Sequence, residues 1–211
     1  MSSTQFHVTE ESWGRHYRAV TDSKDGGKRH FFIENSQFSS QKPDITIHDG
    51  ADINDSVIGL SKFRRLSSDC DVTLIEDEQT NKTDWVPLIK KGLVSASYSF
   101  YIPIQGQLSH LVWKKTRSMG SHSSPYANMK LVDEDSQNVL AVFSSDTYSL
   151  TAGRLDMTGD YGERVDRMVL LTGLAVRERQ RRQNKGSVRA RRDSVFTVGA
   201  AGGGAGSGGG C

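Results

Sequence analysis

The residues of this sequence that are best suited to bind a ligand are basic, and several of them lie close together. Lys62 and Arg64 stand two positions apart near the end of one predicted strand, and Lys115 and Arg117 do so near the end of another. Residues two apart in a strand point to the same side, so each pair presents two positive charges together. On adjacent strands the two pairs can bind a phosphorylated headgroup. The alternative is that they are solubilising charges at the rim of a barrel.

A longer basic segment, which we call the basic tail, follows near the C-terminus. Residues 177–192 contain many lysines and arginines but only one acidic residue, Glu178. Because the net charge of the whole chain is only +2, the rest of the chain is mildly acidic. Such a block is typical of an arm that binds an anionic membrane, a nuclear-import patch, or a nonspecific nucleic-acid arm. No aromatic residue is interleaved with the charges, which argues against specific single-strand binding. The basic residues are Arg177, Arg179, Arg181, Arg182, Lys185, Arg189, Arg191 and Arg192.

Two serines follow paired arginines, as in the acceptor sites of basophilic kinases. Ser67 follows Arg64 and Arg65 at the edge of predicted folded structure, where we expect it to be hard to reach. Ser194 follows two arginines within the predicted flexible tail and is the favoured phosphorylation candidate. A phosphate there adds about −1.5 to −2 charges and would weaken attraction to an anion.

The residue types that catalyse reactions or bind metals do not converge in this sequence. A metal site usually needs ligands at short spacings, and the histidines show no pair at i, i+2 or i, i+4. We find no nucleophile elbow, phosphate-binding loop or dinucleotide fingerprint. We therefore predict a protein that is not an enzyme and uses neither metal nor cofactor. The isolated histidines are His7, His16, His30, His48, His110 and His122.

Short β-strand patterns occupy most of residues 4–156. The clearest is 94–102, in which Val94, Ala96, Tyr98, Phe100 and Ile102 fall on one face and Ser95, Ser97 and Ser99 on the other. This period of two fits a strand and not a helix. Turn residues separate the patterns. Further strands are predicted near 4–8, 14–20, 28–34, 44–48, 56–63, 70–76, 108–116, 127–133, 138–144 and 150–156.

The segment 161–183 predicts a helix instead. Its centre, 168–176, is apolar all round, so the helix must be enclosed on every side. Burying its large side chains contributes about 9–18 kcal/mol as an upper bound, which makes the helix part of the core. From 184 the chain is basic and then glycine-rich, with little to bury, so we predict disorder over 184–211.

The sequence predicts an intracellular protein with no transmembrane segment. The longest apolar run is less than half of the roughly 20 residues that a spanning helix needs. The first residues lack the basic and apolar regions of a secretory signal. The cysteines Cys70 and Cys211 form no disulfide framework and suit a reducing compartment. We expect a cytoplasmic location, with the membrane surface or the nucleus as alternatives.

Six segments, in their order and spacing, resemble a known family: Phe31–Asn35, Lys42–Gly50, Trp113–Thr116, Lys130–Asp133, Val139–Phe143 and Val169–Ala175. With the order of the predicted elements, they resemble the tubby C-terminal superfamily, which includes LURP-one-related proteins and phospholipid scramblases. The similarity spans residues 5–183 and is strongest to fungal proteins with a tubby C-terminal-like domain. It implies a mostly β protein: a closed antiparallel barrel of about twelve strands around one buried C-terminal helix, with residues 1–183 as one domain.

The resemblance implies a noncatalytic module that binds anionic membrane lipid of the phosphoinositide type. The signature segments of animal tubby proteins are absent, so their lipid site does not transfer residue by residue. The cysteine cluster of the scramblases is also absent. A protein-interaction scaffold whose basic tail serves localisation is the alternative.

Overall fold

The computed structural model describes residues 4–11, 16–22, 26–36, 41–75, 84–92, 97–116, 128–145 and 152–199, with side chains described as far as Gln183. Within these residues the chain forms twelve strands followed by one helix, α1, over Glu163–Gly199. The strands are β1 Gln5–Glu10, β2 Tyr17–Asp22, β3 Lys28–Asn35, β4 Ile45–His48, β5 Val57–Phe63, β6 Cys70–Leu74, β7 Val86–Lys91, β8 Ser97–Ile104, β9 Gln107–Lys115, β10 Met129–Asp133, β11 Val139–Ser145 and β12 Gly153–Met157.

The strands form a closed antiparallel barrel. Each strand pairs with the next along the chain, and β1 pairs with β12, where Phe6 lies opposite Leu155. Closure leaves no strand edge exposed for pairing with another chain. The predicted fold class is therefore confirmed.

The connection between β8 and β9 illustrates how local sequence sets the register. Ile104 pairs with Gln107, which leaves a loop of only two residues. Gln105 and Gly106 both have positive φ, 50° and 83°. This is the conformation of a type I′ turn, whose twist matches that of the flanking strands.

The apolar part of α1 fills the barrel interior. Leu171 faces Gly59 of β5, while Gly173 faces Trp113 of β9 and Phe143 of β11. A Cβ at Gly173 would lie 3.2 Å from the indole of Trp113, so glycine permits the close approach of helix and wall. The indole Nε1 donates a hydrogen bond of 3.0 Å to Thr172 Oγ1. The prediction of an enclosed, buried helix is confirmed.

Two elements differ from the sequence predictions. Strand β7 was not predicted, because Pro87 interrupts its pattern; the structure places this proline inside β7, opposite Asp71. The helix continues to Gly199, past the predicted end near 183, so the backbone of 184–199 is helical. Lysine, alanine and arginine in this segment favour helices, and extending an existing helix needs no new nucleus. The remaining residues of the predicted disordered tail, 200–211, lie outside the described part of the chain.

Candidate lipid-binding surface at the exit end of the barrel

The path of α1 distinguishes the two ends of the barrel. At the entry end α1 begins next to β3, where Glu163 forms an ion pair with Arg29. At the exit end α1 leaves the barrel, and Gln183 donates a hydrogen bond of 2.9 Å to Ser68 Oγ. Because neighbouring strands are antiparallel, every odd-numbered strand runs from the entry end to the exit end. The ends of β5, β7 and β9 therefore lie at the exit end.

The exit end presents exposed basic residues from several strands. Lys62 lies in β5, Arg65 follows that strand, Lys91 ends β7 and Lys115 ends β9. None of the four forms an ion pair with another described residue, so their charges face solvent. Leu66, in the turn after β5, is fully exposed at 103%. An apolar side chain thus stands beside the basic residues of this turn.

The two predicted basic pairs are not brought together. Strands β5 and β9 are separated by β6, β7 and β8, so the two pairs do not lie on adjacent strands as binding of one headgroup would require. Lys62 points outward, and Arg64 is neutralised by Asp71 at 2.6 Å. Lys115 instead pairs with the buried Met129, on the inward face of β9. Arg117 lies outside the described residues.

The first arginines of the predicted basic tail belong to the barrel interior. Arg177 is 1% exposed, its guanidinium lies 4.7 Å from the ring centroid of Phe143, and it donates a hydrogen bond to Ser145. Burial lowers the pKa of Arg177 to about 10. Arg179 donates to the backbone carbonyls of Arg64 and Ser67. Both arginines fix α1 to the barrel wall.

A buried ion-pair network surrounds Glu178. Its carboxylate accepts hydrogen bonds from Arg181 at 2.6 Å, Arg182 at 2.7 Å and the hydroxyl of Tyr17 at 2.9 Å. Burial by itself raises the pKa of Glu178, but the hydrogen bonds from the two arginines outweigh it and hold the pKa below its usual range.

Arg182 extends the network to the barrel wall. It forms an ion pair with Asp44, donates to Asn35 Oδ1 at 2.7 Å, and lies 4.6 Å from the ring centroid of Phe63. The arginines at 177, 179, 181 and 182 therefore have structural partners, and the predicted tail of free charges does not begin at Arg177.

The later basic residues lie on the helix that leaves the exit end. Lys185, Arg189, Arg191 and Arg192 fall within 184–199, where the backbone is helical and the side chains are not described. Ser194 lies in the same segment, so its exposure stays a prediction.

The structure places Ser67 differently from the sequence prediction. It lies on an exposed turn between β5 and β6, with its hydroxyl 3.1 Å from Asp69. The sequence analysis singled out neither Lys91, which ends the unpredicted β7, nor Leu66. Leu66 could have been identified from the sequence as an exposed apolar residue, because it lies between Arg65 and Ser67 in a polar turn.

No metal site and no membrane-spanning helix is found in the described parts of the chain. No group of three or more histidine, cysteine, aspartate or glutamate side chains there could hold a metal ion. No helix there is both long enough and apolar enough to cross a membrane. Comparisons with known proteins matched no family model, no curated protein and no solved structure.

Proposed function

We propose that this protein is a noncatalytic module that binds anionic membrane lipid with the exit end of its barrel. The observation that supports this most directly is the group of exposed charges without ion-pair partners beside the exposed Leu66. Basic residues attract an anionic leaflet, and an apolar side chain at the same end can enter it. The site is a broad surface, because the basic pairs do not form one pocket.

The opposite end of the barrel has the opposite charge. Acidic residues dominate its turns and the loop that leads into α1. A charge distribution of this kind orients a protein in the field of a charged surface, so the exit end would face an anionic membrane. Helical residues 184–199, with four further basic residues, continue from that same end. The acidic residues of the entry end include Asp22, Asp52, Asp55, Asp84, Asp135 and Asp160.

Energetics favour reversible binding. Each lysine or arginine near an anionic leaflet contributes about 1 kcal/mol, and the attraction decays over a Debye length of about 8–10 Å. Burying one leucine adds roughly 1.5–3 kcal/mol. The sum over several residues suffices for attachment that half-molar salt reverses.

We also propose that the chain is a distant member of the tubby C-terminal superfamily. A closed twelve-stranded barrel around one helix is the architecture that this resemblance implies, and the lipid-binding proposal agrees with it. A cytoplasmic protein at the inner membrane surface fits both proposals.

Vesicle co-sedimentation tests the function. We expect the full chain to sediment with phosphatidylcholine vesicles that contain a phosphoinositide or phosphatidylserine at equal charge, and not with phosphatidylcholine alone. The double variant Lys62→Gln, Lys115→Gln should bind about tenfold or more weakly, because it loses two charges near the leaflet. Lys28→Gln is the matched control, since Lys28 is exposed at the entry end.

The vesicle composition and the variants separate the outcomes. Stronger binding to phosphoinositide than to phosphatidylserine at equal charge would indicate headgroup recognition. Equal loss in the double variant and in Lys28→Gln would contradict the exit-end surface. Deleting 184–211 measures how much the C-terminal segment adds to the barrel.

A protein-interaction scaffold is the second candidate, and one observation favours it. Trp85, Ile89, Tyr101 and Leu108 are between 41% and 69% exposed, and they lie on or beside the neighbouring strands β7, β8 and β9. Exposed apolar groups on neighbouring strands are typical of contact with another protein. Absence of vesicle binding by the full chain at low salt would favour the scaffold.

A further inference from the structure

The turn between β5 and β6 presents a serine that follows two arginines. Arg64, Arg65, Leu66 and Ser67 are consecutive and exposed, and Leu66 is exposed at 103%. Kinases select substrates by the charges around the acceptor, and two arginines shortly before a serine suit an arginine-directed kinase. Because the whole segment is exposed, such an enzyme can contact it in the folded protein.

The hydroxyl group of Ser67 takes part in surface hydrogen bonds. Its Oγ donates to Asp69 Oδ2 at 3.1 Å and accepts from the backbone N–H of Asp69 at 3.2 Å. Water replaces such partners readily at an exposed position, so breaking these bonds costs little free energy. The hydroxyl group can therefore turn towards an enzyme without disturbing the core.

Both arginines are also available to a kinase. Arg65 forms no ion pair with another described residue. Arg64 pairs with Asp71 at 2.6 Å, but the two side chains are 47% and 28% exposed, and a surface ion pair adds little stability. An acidic pocket of the kinase can therefore take the place of Asp71.

The neighbouring Ser68 also follows the arginines but has a different environment. It is half-buried, and its Oγ accepts a hydrogen bond of 2.9 Å from the side-chain amide of Gln183 in α1. The structure therefore favours Ser67 over Ser68 as the acceptor.

The turn is anchored to the rest of the exit end. Arg179 of α1 donates hydrogen bonds to the backbone carbonyls of Arg64, at 2.9 Å, and of Ser67. The backbone N–H of Arg64 donates to the carbonyl of Asp69 at 3.1 Å and closes the turn. A group attached to Ser67 therefore stays beside Arg65 and Leu66, which belong to the proposed lipid-binding surface.

A phosphate on Ser67 reverses the charge of this part of the surface. Residues 62–71 contain three basic side chains and two aspartates, so their net charge is +1. A phosphate adds about −1.5 to −2 charges, which makes the segment negative beside Leu66. An anionic leaflet then repels the turn that it attracts in the unmodified protein.

We propose that Ser67 is the acceptor site of an arginine-directed serine/threonine kinase, and that its phosphorylation releases the exit end from anionic lipid. The second part rests on the proposed function, whereas the first does not. In the transfer, Ser67 Oγ forms a bond to the γ-phosphorus of ATP, and the bond from that phosphorus to the bridging oxygen of the departing ADP breaks. The hydroxyl proton passes to the catalytic base of the kinase.

Mass spectrometry of the full chain tests the acceptor site. The Ser194→Ala variant is incubated with Mg-ATP and the catalytic subunit of cyclic-AMP-dependent protein kinase, and a peptide of residues 60–72 is the benchmark. We expect one phosphate on Ser67, at a rate within about tenfold of the peptide, because only surface hydrogen bonds must break. Adding Ser67→Ala should abolish modification of this turn, whereas Ser68→Ala is the matched control and should leave it unchanged. Absence of phosphate on the native chain, or phosphate on Ser68 instead of Ser67, would overturn the site.

Vesicle co-sedimentation of the same protein tests the release. We expect the phosphorylated form to bind phosphatidylserine vesicles about tenfold more weakly than the unphosphorylated form, because the turn changes sign. Treatment with a phosphatase should restore binding. A Ser67→Ala, Ser194→Ala protein that has been incubated with the kinase should bind as well as one that has not.

The two proposals fail in different ways. Equal vesicle binding by the two forms would overturn the release and leave lipid binding in place. No binding by the unphosphorylated form at low salt would contradict the proposed function and overturn the release with it, while the acceptor site would still be decided by the mass of the modified chain.

Discussion

At the residue scale, Glu178 is the side chain on which the exit-end ion pairs depend. It is 0% exposed and accepts hydrogen bonds from Arg181, Arg182 and Tyr17. A buried ion pair adds little stability compared with apolar packing, but removing one partner leaves the other charge buried and uncompensated. The consequence is a helix whose position in the barrel depends on one carboxylate.

Glu178→Gln should destabilise the protein by about 3–5 kcal/mol at neutral pH, because Arg181 and Arg182 lose their shared counter-charge. The pKa of Glu178 is lower in the folded than in the unfolded protein, so its stabilisation is complete above the ordinary carboxyl pKa of about 4.3. That stabilisation disappears as the pH falls through the folded pKa. Urea unfolding followed by tryptophan fluorescence should therefore show a large difference from wild type at pH 7 and a smaller one near pH 3.

Glu11→Gln is the matched control for this measurement. Glu11 pairs with Arg18 on the surface, where an ion pair is worth about 1 kcal/mol or less. A difference between Glu178→Gln and wild type that does not change with pH would mean that the carboxylate charge has no part in the network.

The thiol of Cys70 permits a second prediction at this scale. Burial raises its pKa to about 12, so almost no thiolate exists near pH 8. In a Cys211→Ser variant, the remaining thiol should react with a disulfide reagent at least about a hundredfold more slowly in native than in denatured protein. Rapid reaction in native protein would show that the core around β6 opens readily.

At the element scale, helix and barrel depend on each other. The closed barrel encloses an interior that the strands' own side chains share with α1, and the apolar side chains on all sides of α1 fill it. The two pack closely around Trp113. Its indole donates a hydrogen bond to Thr172 and lies against Gly173, where a side chain would not fit without a shift. We therefore expect the domain to unfold as one cooperative unit.

Leu171→Asp should abolish cooperative unfolding, because it places an unpaired charge in the barrel interior, where Leu171 is 0% exposed. Arg164→Asp is the control on the same helix. Arg164 is exposed in the first turn, where a carboxylate interacts favourably with the helix dipole. Thermal unfolding monitored by circular dichroism distinguishes them; a transition of Leu171→Asp within a few degrees of wild type would contradict the buried position of α1.

The sequence predicts the strands and the buried helix well, since the strands follow from local apolar periodicity and the helix from a segment that is apolar on all sides. It predicts the site poorly, for a physical reason. Arg177 and Arg182 look like solvated charges in the sequence, and only the fold shows that Ser145 and Phe143 contact the first and Asp44 the second. Partners that are distant in the sequence determine whether a charge is free. Helix propensity beyond 183 was likewise hidden by the neighbouring glycine-rich composition.

At the scale of the whole molecule, charge is divided along the barrel axis. The turns at the end where α1 begins are rich in aspartate, whereas the end where α1 leaves presents exposed basic residues and Leu66. Separation of this kind gives the molecule a preferred orientation in the field of a charged surface. The central claim is therefore about orientation, which binding strength alone does not test.

Depth-dependent fluorescence quenching on anionic vesicles measures this orientation directly. Leu66→Cys and Ile53→Cys, each in a Cys211→Ser background, place one fluorophore at the exit end or in the entry-end loop between β4 and β5, since both side chains are exposed large apolar groups. We predict that brominated lipids quench the fluorophore at position 66 and leave the one at position 53 unchanged. Quenching at position 53 without quenching at position 66 would contradict the account.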